Sequence, residues 1–574
     1  MCSIGDRVKA KEYCEEAIAI SKEIGHRATE ANCCLLLGNV LFKDGEHVKA
    51  EEHFMKSRRI SEDIGDILKL FQSLYGLARL RVQEGENQEA ISYLLASIEK
   101  CEKIRGSLQD HDQWKISFSD SKISPYRNLC ALLCKTENPE AALYVSELGK
   151  ARALADLMSA KYSVRNPVST NPQTWSGIES IMDKELNCSC LYVSYSSDSI
   201  YFWILKRSGV KHFRKIKGSE AIAHEGFAQN MEDFFATKSF RSFDMSPKDL
   251  PKDVSLNVVQ GGSKSYEDDN HEGFRFGNES KENQGPKMNL PLCYKLIIAP
   301  VADLLDGSEI IIVPDRTLYN IPFTALPDES GKTLSETFKI RVAPSLTTLR
   351  LIHDSPADYH SQTGALIVGN PDVGEVIFKG RLTPVSRLPS AEEEAKMVGR
   401  KLGVEPLLGQ QATKQAVLQA MESVALIHLA AHGDAERGEI ALAPSIRIPN
   451  GIPREGLYLL TMSDISKVKL RAKLVVLSCC HSARGEIKAE GAVGIARAFL
   501  GSGARSVLVS LWALEDSSTE KLISHFYDHL VRGESASDSL HQAMKWMRCN
   551  GYSDVKQWAP FILIGDNVTF NFAK

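Results

Sequence analysis

The spacing of apolar residues separates a helical first third from a mixed second half. Up to about Met158, apolar positions recur at helical intervals, as in residues 35–42 and 91–98. Beyond Leu290, short apolar runs rich in β-branched residues alternate with helical stretches. Such alternation predicts a mainly parallel sheet with helices on both faces.

Six apolar runs in the second half are predicted to be strands, and a hairpin is predicted before them. The strands are residues 309–314, 365–369, 424–432, 474–480, 506–512 and 561–565, and the hairpin joins 190–194 to 200–205. The predicted helices between the strands include residues 391–398, 414–421 and 490–500.

Glycine, alanine and isoleucine residues in the first third of the chain recur at an interval of 40 residues. The repeating positions are Gly5, Gly45 and Gly85, Ala10, Ala50 and Ala90, and Ile24, Ile64 and Ile104. Glycines at this interval would end helices in turns, and the alanines would let paired helices approach closely. The pattern predicts stacked helical repeats.

A composition change in the middle of the chain gives the remaining boundaries. Residues 261–289 contain no Leu, Ile or Val, so they cannot bury enough apolar surface to order themselves. We therefore predict a helical array at 1–160, a β-rich segment at 161–235, a flexible polar insertion at 236–289 and an α/β domain at 290–574.

Charge and cysteine content narrow the class of protein. The 69 Lys and Arg nearly balance the 73 Asp and Glu, so bulk charge does not favour nucleic-acid binding. The 13 cysteines follow no repeating spacing, which argues against a disulfide framework. No apolar stretch reaches the roughly 18 residues of a membrane span. Together these features predict a cytoplasmic protein with no membrane contact. No metal-binding pattern is complete.

Candidate chemistry lies at the ends of two predicted strands. His432 ends one apolar run, and Cys480 ends another 48 residues later. Because ligands of open α/β sheets bind beyond the carboxyl ends of the strands, both side chains would emerge at one edge. A thiol beside an imidazole is the arrangement of a cysteine nucleophile and its acid/base partner.

The first third resembles the tetratricopeptide repeat. Leu37 and Gly38 precede Gly45 and Ala50, and the set recurs 40 residues later as Leu77, Ala78, Gly85 and Ala90. The resemblance implies a solenoid that binds a protein partner in its concave face. Gly5 would already lie in a turn within a repeat, so we expect further repeats before Met1 in a longer protein.

Residues 290–566 resemble a CHAT domain, a relative of caspases, metacaspases and separases. The most specific segments are 427–433, which contains His432, and 477–485, which contains Cys480; further matching segments are 313–315, 321–326, 343–346, 388–394 and 558–561. His followed by Cys at this interval is the caspase order. The resemblance implies a caspase-like α/β sandwich.

The resemblance also assigns roles. Cys480 would be the nucleophile, His432 its acid/base partner, and the backbone N–H groups of Gly433 and Cys480 an oxyanion hole. The helix predicted at 490–500 would favour the thiolate by its N-terminus. The dyad needs no metal or organic cofactor.

Neighbouring positions leave alternatives open. Ser478 stands where metacaspases have an acid that holds a basic P1 residue. Residues 511–516 are similar to the separase segment that supplies an acid to a P1 Arg, and this resemblance implies Asp516 or Glu515 for that role. Asp516 could equally be a helix N-cap. Trp512 and Ser510 are candidate substrate contacts, and Trp512 could equally be core.

Two further side chains of the same blocks are not assigned to the chemistry. Strand alternation would turn Cys479 to the opposite face from Cys480. His428, four residues before His432, is interpreted as structural.

Two functions are therefore carried forward. The first is a cysteine endopeptidase that cleaves a protein or peptide and is targeted or regulated by the repeat array. Self-cleavage within residues 261–289 is a further hypothesis for this case. The alternative is a non-catalytic scaffold that uses both domains for protein–protein interaction.

Overall fold

A computed structural model describes most of the chain. The described residues are 4–108, 112–164, 181–185, 187–207, 209–218, 235, 288–434, 438–446, 451–480, 482–483, 486–488 and 491–572. The chain divides into one unit of Met1–Ala153 with Asn166–Ser180 and a second of Leu154–Arg165 with Ile181–Lys574. The insertion predicted at 236–289 lies outside the described residues except for its last two.

The first unit is helical throughout its described part. Its helices are α1 (Ile4–Glu23), α2 (Arg27–Lys43), α3 (His47–Ile64), α4 (Ile67–Glu84), α5 (Asn87–Ser107), α6 (Asp112–Ser121), α7 (Ser124–Lys135) and α8 (Pro139–Leu148), and α9 (Arg152–Tyr162) leads into the second unit. None of the described helices is long and apolar enough to cross a membrane.

Glycines end four helices of this unit in turns, as the sequence predicts for Gly45 and Gly85. The turns after α1, α2, α3 and α4 contain Gly25, Gly45, Gly65 and Gly85, whose φ angles are 70°, 80°, 73° and 82°. A Cβ on Gly38 or on Gly76 would lie within 2.8 Å of the Phe54 ring, so both glycines let their helices close on that ring. Gly5 differs from expectation, since it lies in the first turn of α1.

The second unit is built on one mixed sheet. Its strands and those of three small accessory sheets are β1 (Cys188–Tyr195), β2 (Ser199–Lys206), β3 (Gly209–Lys217), β4 (Glu309–Val313), β5 (Lys339–Val342), β6 (Ala365–Pro371), β7 (Gly374–Phe378), β8 (Arg381–Val385), β9 (Leu407–Gly409), β10 (Leu426–Ala430), β11 (Ile440–Ala441), β12 (Leu459–Leu460), β13 (Leu474–Ser478), β14 (Glu486–Lys488), β15 (Gly491–Val493), β16 (Ser506–Ser510) and β17 (Phe561–Gly565).

The main sheet has the order β3-β2-β1-β4-β5-β17-β16-β13-β10-β6-β9 among the described strands. From β4 through β9 all neighbouring pairs are parallel except β16 with β17. The mainly parallel sheet is confirmed, and each of the six predicted strands is present. Because β1 pairs with β4, the β-rich segment and the later α/β domain share one sheet.

Helices cover the sheet. They are α10 (Leu290–Cys293), α11 (Leu334–Thr337), α12 (Leu346–His353), α13 (Pro389–Leu402), α14 (Lys414–Ala420), α15 (Glu455–Tyr458), α16 (Met462–Lys467), α17 (Ile495–Gly501), α18 (Asp516–Leu530), α19 (Ala536–Cys549) and α20 (Val555–Trp558). Leu426, Val476 and Leu508 pack with α13, α18 and α19 in one apolar core. This face carries α18, whose first residue lies near the end of β13.

A buried ionic cluster joins β4, β5 and β17. The fully buried Arg341 guanidinium contacts Glu185 and lies 2.9 Å from Glu309 Oε1 and 3.8 Å from Asp566 Oδ1. His353 Nε2 lies 3.0 Å from Glu185 Oε1, and both neighbouring carboxylates raise the His353 pKa against the effect of burial. Arg341, His353 and Arg505 already pair with these acids, so we interpret the cluster as structural rather than as a metal site.

We expect Arg341→Met to destabilise the second unit by about 3–5 kcal/mol, because the substitution leaves buried carboxylates without their cation. The check is urea unfolding followed by tryptophan fluorescence. Arg400→Met, at an exposed position on α13, is the matched control and should unfold with the wild type. Equal midpoints for the two variants would contradict the structural role of the cluster.

Candidate functional site

Parallel pairing of β10 with β13 brings the two predicted catalytic residues to one edge of the sheet. The register runs from Leu426 opposite Leu474 to Ala430 opposite Ser478. His432 and Cys480 each follow two residues beyond the last pair, so both leave the sheet at the same level. Because neighbouring strands lie about 4.8 Å apart, that spacing sets the scale of the distance between the His432 and Cys480 backbones.

Gly433 touches the backbone of Cys480. A Cβ added to Gly433 would lie 2.4 Å from the Cys480 carbonyl oxygen. Only glycine therefore lets the loop after β10 pack against the loop after β13.

The neighbouring bridge orients the Gly433 backbone. Gly433 pairs with Ile440 in an antiparallel bridge whose hydrogen bonds use the His432 carbonyl and the Asp434 N–H. In such a pair, the N–H of the central residue points away from the partner strand. The Gly433 N–H is thus turned away from Ile440.

His432 is held by a main-chain carbonyl. Its Nε2 lies 2.9 Å from the Ser386 oxygen, which follows β8. A carbonyl only accepts, so Nε2 carries the proton and Nδ1 is the basic nitrogen of the neutral ring. Burial lowers the His432 pKa, while the Ser386 carbonyl and the Asp516 charge act in the opposite direction. The sequence offered no signal for Ser386, because any residue supplies a carbonyl.

The Cys480 thiol is covered by the loop after β16. The Leu514 N–H lies 3.4 Å from Cys480 Sγ. Burial raises the Cys480 pKa, the Leu514 N–H lowers it, and the Asp516 charge raises it further. In this conformation the thiol is protonated and the imidazole is neutral at pH 7.

One prediction about the thiol environment is wrong. The helix predicted at 490–500 begins at Ile495, and Gly491–Val493 forms a strand with Glu486–Lys488. Glu490 lies outside the described residues. The donor that acts on the thiol is instead the Leu514 N–H.

Cys479 and His428, which are not assigned to the chemistry, are buried. The Cys479 thiol donates to the Leu429 carbonyl at 3.3 Å, and burial raises the pKa of Cys479. His428 Nδ1 lies 3.1 Å from the Tyr527 hydroxyl, and its Nε2 lies 3.1 Å from Glu394 Oε1 without the alignment of a hydrogen bond. The surroundings of Cys479 and His428 therefore fit a structural role for both side chains.

Two predicted substrate contacts have no exposed side-chain surface. Trp512 is fully buried, and its indole N–H donates to the Lys556 carbonyl at 3.1 Å. Ser510 is also fully buried, and its hydroxyl donates to the Cys479 carbonyl. The burial of Trp512 therefore fits the core alternative, and the Ser510 hydroxyl is used within the turn that holds Cys480.

The two candidate acids differ in their surroundings. Glu515 is the N-cap residue of α18 and accepts hydrogen bonds from Gln557 Nε2 at 3.1 Å and Ser518 Oγ at 3.3 Å. Asp516 is the first helical residue rather than the N-cap, and its side chain is exposed. Its charge raises the pKa of both His432 and Cys480, so it lies near both side chains.

Comparison with known protein families finds one match within each of the two units. Residues 291–566 match the family model of the CHAT domain, and residues 32–103 match that of the tetratricopeptide repeat. Tetratricopeptide repeat protein 28 of Homo sapiens is 26% identical over 607 residues, covering 87% of this chain and 24% of that protein. The Mus musculus protein of the same name is 26% identical over 603 residues with the same coverage. The chain thus spans 24% of the length of these curated relatives.

Two solved structures that align with this chain are a separase–securin complex and a cysteine proteinase. The Saccharomyces cerevisiae separase–securin complex aligns with a TM-score of 0.44 at 11% identity, covering 99% of this chain and 52% of that chain. The Arg specific cysteine proteinase gingipain R aligns with a TM-score of 0.32 at 10% identity, covering 48% of this chain and 66% of that chain.

We expect alkylation of Cys480 by iodoacetamide to be slow at pH 7 and to rise about tenfold per pH unit up to pH 9. The thiolate is the reactive form, and a raised pKa keeps its fraction small over this range. The rate is measured by mass spectrometry of the Cys480 peptide, with the exposed Cys549 in the same digest as internal control. A rate that is already constant below pH 7 would mean a preformed thiolate–imidazolium pair.

Proposed function

We propose that this chain is a caspase-like cysteine endopeptidase targeted by its repeat array, because residues 291–566 match the CHAT family model and follow residues that match the tetratricopeptide repeat model. The observation that carries the proposal is the contact between the loop of His432 and Gly433 and the loop of Cys480 at one sheet edge. Ser386 on the imidazole and Leu514 on the sulfur support it further.

The acylation step uses these groups in turn. A substrate displaces the Leu514 contact, and His432 takes the thiol proton as Cys480 Sγ attacks the scissile carbonyl carbon. The carbonyl oxygen becomes an oxyanion that accepts from the N–H groups of Gly433 and Cys480. His432 then gives its proton to the leaving amine, and the C–N bond breaks to leave a thioester.

Deacylation repeats the sequence with water. His432 removes a proton from water as the oxygen attacks the thioester carbonyl carbon, and the same two N–H groups stabilise the second oxyanion. Its collapse releases the carboxylic acid, and the proton returns to the Cys480 thiolate. The Ser386 carbonyl holds the ring throughout and stabilises the imidazolium while it is charged.

We assign the recognition of a basic P1 side chain to Asp516. Its exposure and its electrostatic effect on both dyad residues support this choice over Glu515, whose carboxylate already has two partners. A carboxylate at this place would pair with the guanidinium of a P1 Arg.

The repeat array is proposed to bind a protein partner. It exposes large apolar side chains, among them Tyr13 at 68% and Val48 at 75%. Stacked helical repeats commonly offer such surfaces to other proteins. Partner binding would bring the peptidase to its substrate or restrain it.

The test is hydrolysis of fluorogenic peptides with Arg, Lys, Asp or Leu at P1. We expect cleavage after Arg, and we expect Cys480→Ala and His432→Ala to abolish it. Asp516→Asn should lower kcat/KM about tenfold more for the Arg peptide than for the Leu peptide. Both peptides lose the effect of the Asp516 charge on the dyad, but only the Arg peptide also loses the ion pair. Glu520→Gln, one helical turn further along, is the matched control and should behave as wild type.

Two outcomes would contradict parts of the proposal. Cleavage that survives Cys480→Ala would reject the dyad. Failure to cleave any peptide, with or without lysate that contains partners, would favour the alternative of a non-catalytic scaffold.

A further inference from the structure

The nucleophile lies in a tight turn closed by its own backbone. The Ser482 N–H donates to the Cys479 carbonyl at 3.3 Å, which makes Cys480 the second residue of a four-residue turn. The peptide unit between Cys479 and Cys480 carries two relevant groups at opposite ends. One is the Cys479 carbonyl, and the other is the Cys480 N–H proposed for the oxyanion hole.

Ser510 binds the carbonyl end of this peptide unit. It ends β16, whose register places it beside the last residue of β13. The Ser510 hydroxyl donates to the Cys479 carbonyl at 2.5 Å. Ser510 is fully buried, so this bond is shielded from water.

The hydrogen bonds of Ser510 and Ser482 require one donated proton from each hydroxyl. The Ser510 hydroxyl donates to the Cys479 carbonyl oxygen and accepts from the Ser482 N–H at 3.3 Å. The Ser482 hydroxyl donates to the Leu477 carbonyl at 3.1 Å and accepts from the Ser510 N–H at 2.8 Å. Each hydroxyl uses its single proton once. The resulting directions are fixed by the surrounding backbone.

We propose that Ser510 is a positioning residue of the oxyanion hole, acting through the peptide unit between Cys479 and Cys480. A hydrogen bond to the carbonyl of a peptide unit polarises the unit and strengthens its N–H as a donor. The bond also fixes the plane of that unit, so the N–H points where the oxyanion forms. This inference rests on the proposed peptidase function and adds a residue whose side chain never touches substrate.

The test compares two reactions of the same thiol. Iodoacetamide alkylates Cys480 by displacement of iodide and forms no oxyanion, whereas a peptide aldehyde with Arg at P1 forms a hemithioacetal whose oxygen occupies the oxyanion hole. We expect Ser510→Ala to weaken aldehyde binding about tenfold and to lower kcat for the Arg peptide about tenfold, with KM within about twofold of wild type. The alkylation rate should stay within about twofold.

Two further variants separate positioning from folding. Ser506→Ala removes another fully buried hydroxyl from β16 that donates to a carbonyl, that of Asp566, and should match wild type in both reactions. Ser510→Thr keeps the hydroxyl and should retain aldehyde affinity within about threefold. Equal losses in Ser510→Thr and Ser510→Ala, or equal changes of aldehyde binding and alkylation, would overturn the inference.

The wild-type reactions show which proposal fails. If wild type neither cleaves the peptide nor binds the aldehyde, the peptidase function itself is rejected. If wild type does both and Ser510→Ala is indistinguishable from it, only the role of Ser510 is rejected.

Discussion

The parallel pairing of β10 with β13 is the constraint on which the candidate site depends. Every residue of both strands is buried, so a slip of one residue would exchange the side chains packed on the two faces of the sheet. The register therefore fixes how far His432 and Cys480 extend beyond the sheet. Gly433 completes the arrangement, because any larger residue would meet the Cys480 carbonyl. The chemistry of the site follows from the packing of two central strands.

The dyad proposed for this chain is neutral at pH 7. Burial lowers the pKa of His432 and raises that of Cys480, and the Leu514 N–H lies against the sulfur. In the proposed reaction the imidazole takes the thiol proton as attack begins. The Ser386 carbonyl binds the imidazole, and Ser510, at the end of the buried strand β16, binds the turn that holds Cys480.

Much of this arrangement could be predicted from the sequence. The period of 40 located the helical repeats, and the apolar runs located the six strands, because burial leaves a direct mark on residue type. Main-chain contacts leave no such mark, which is why Ser386 and Leu514 were not predicted. α17 starts later than the sequence predicts, because residues 491–493 pair as a strand through a contact that local pattern does not encode. The sequence predicts that the Ser510 side chain contacts substrate, but its hydroxyl donates to the Cys479 carbonyl in the turn that holds Cys480.

The central claim is that His432 activates Cys480 for attack on a peptide carbonyl. It is tested most directly with a peptidyl acyloxymethyl ketone that carries Arg at P1, by comparing wild type with His432→Ala and mapping the adduct by mass spectrometry. The account predicts a single adduct on Cys480 in the wild type that forms far more slowly in His432→Ala. Equal labelling of both proteins, or labelling spread over the exposed Cys549 as readily as Cys480, would contradict it.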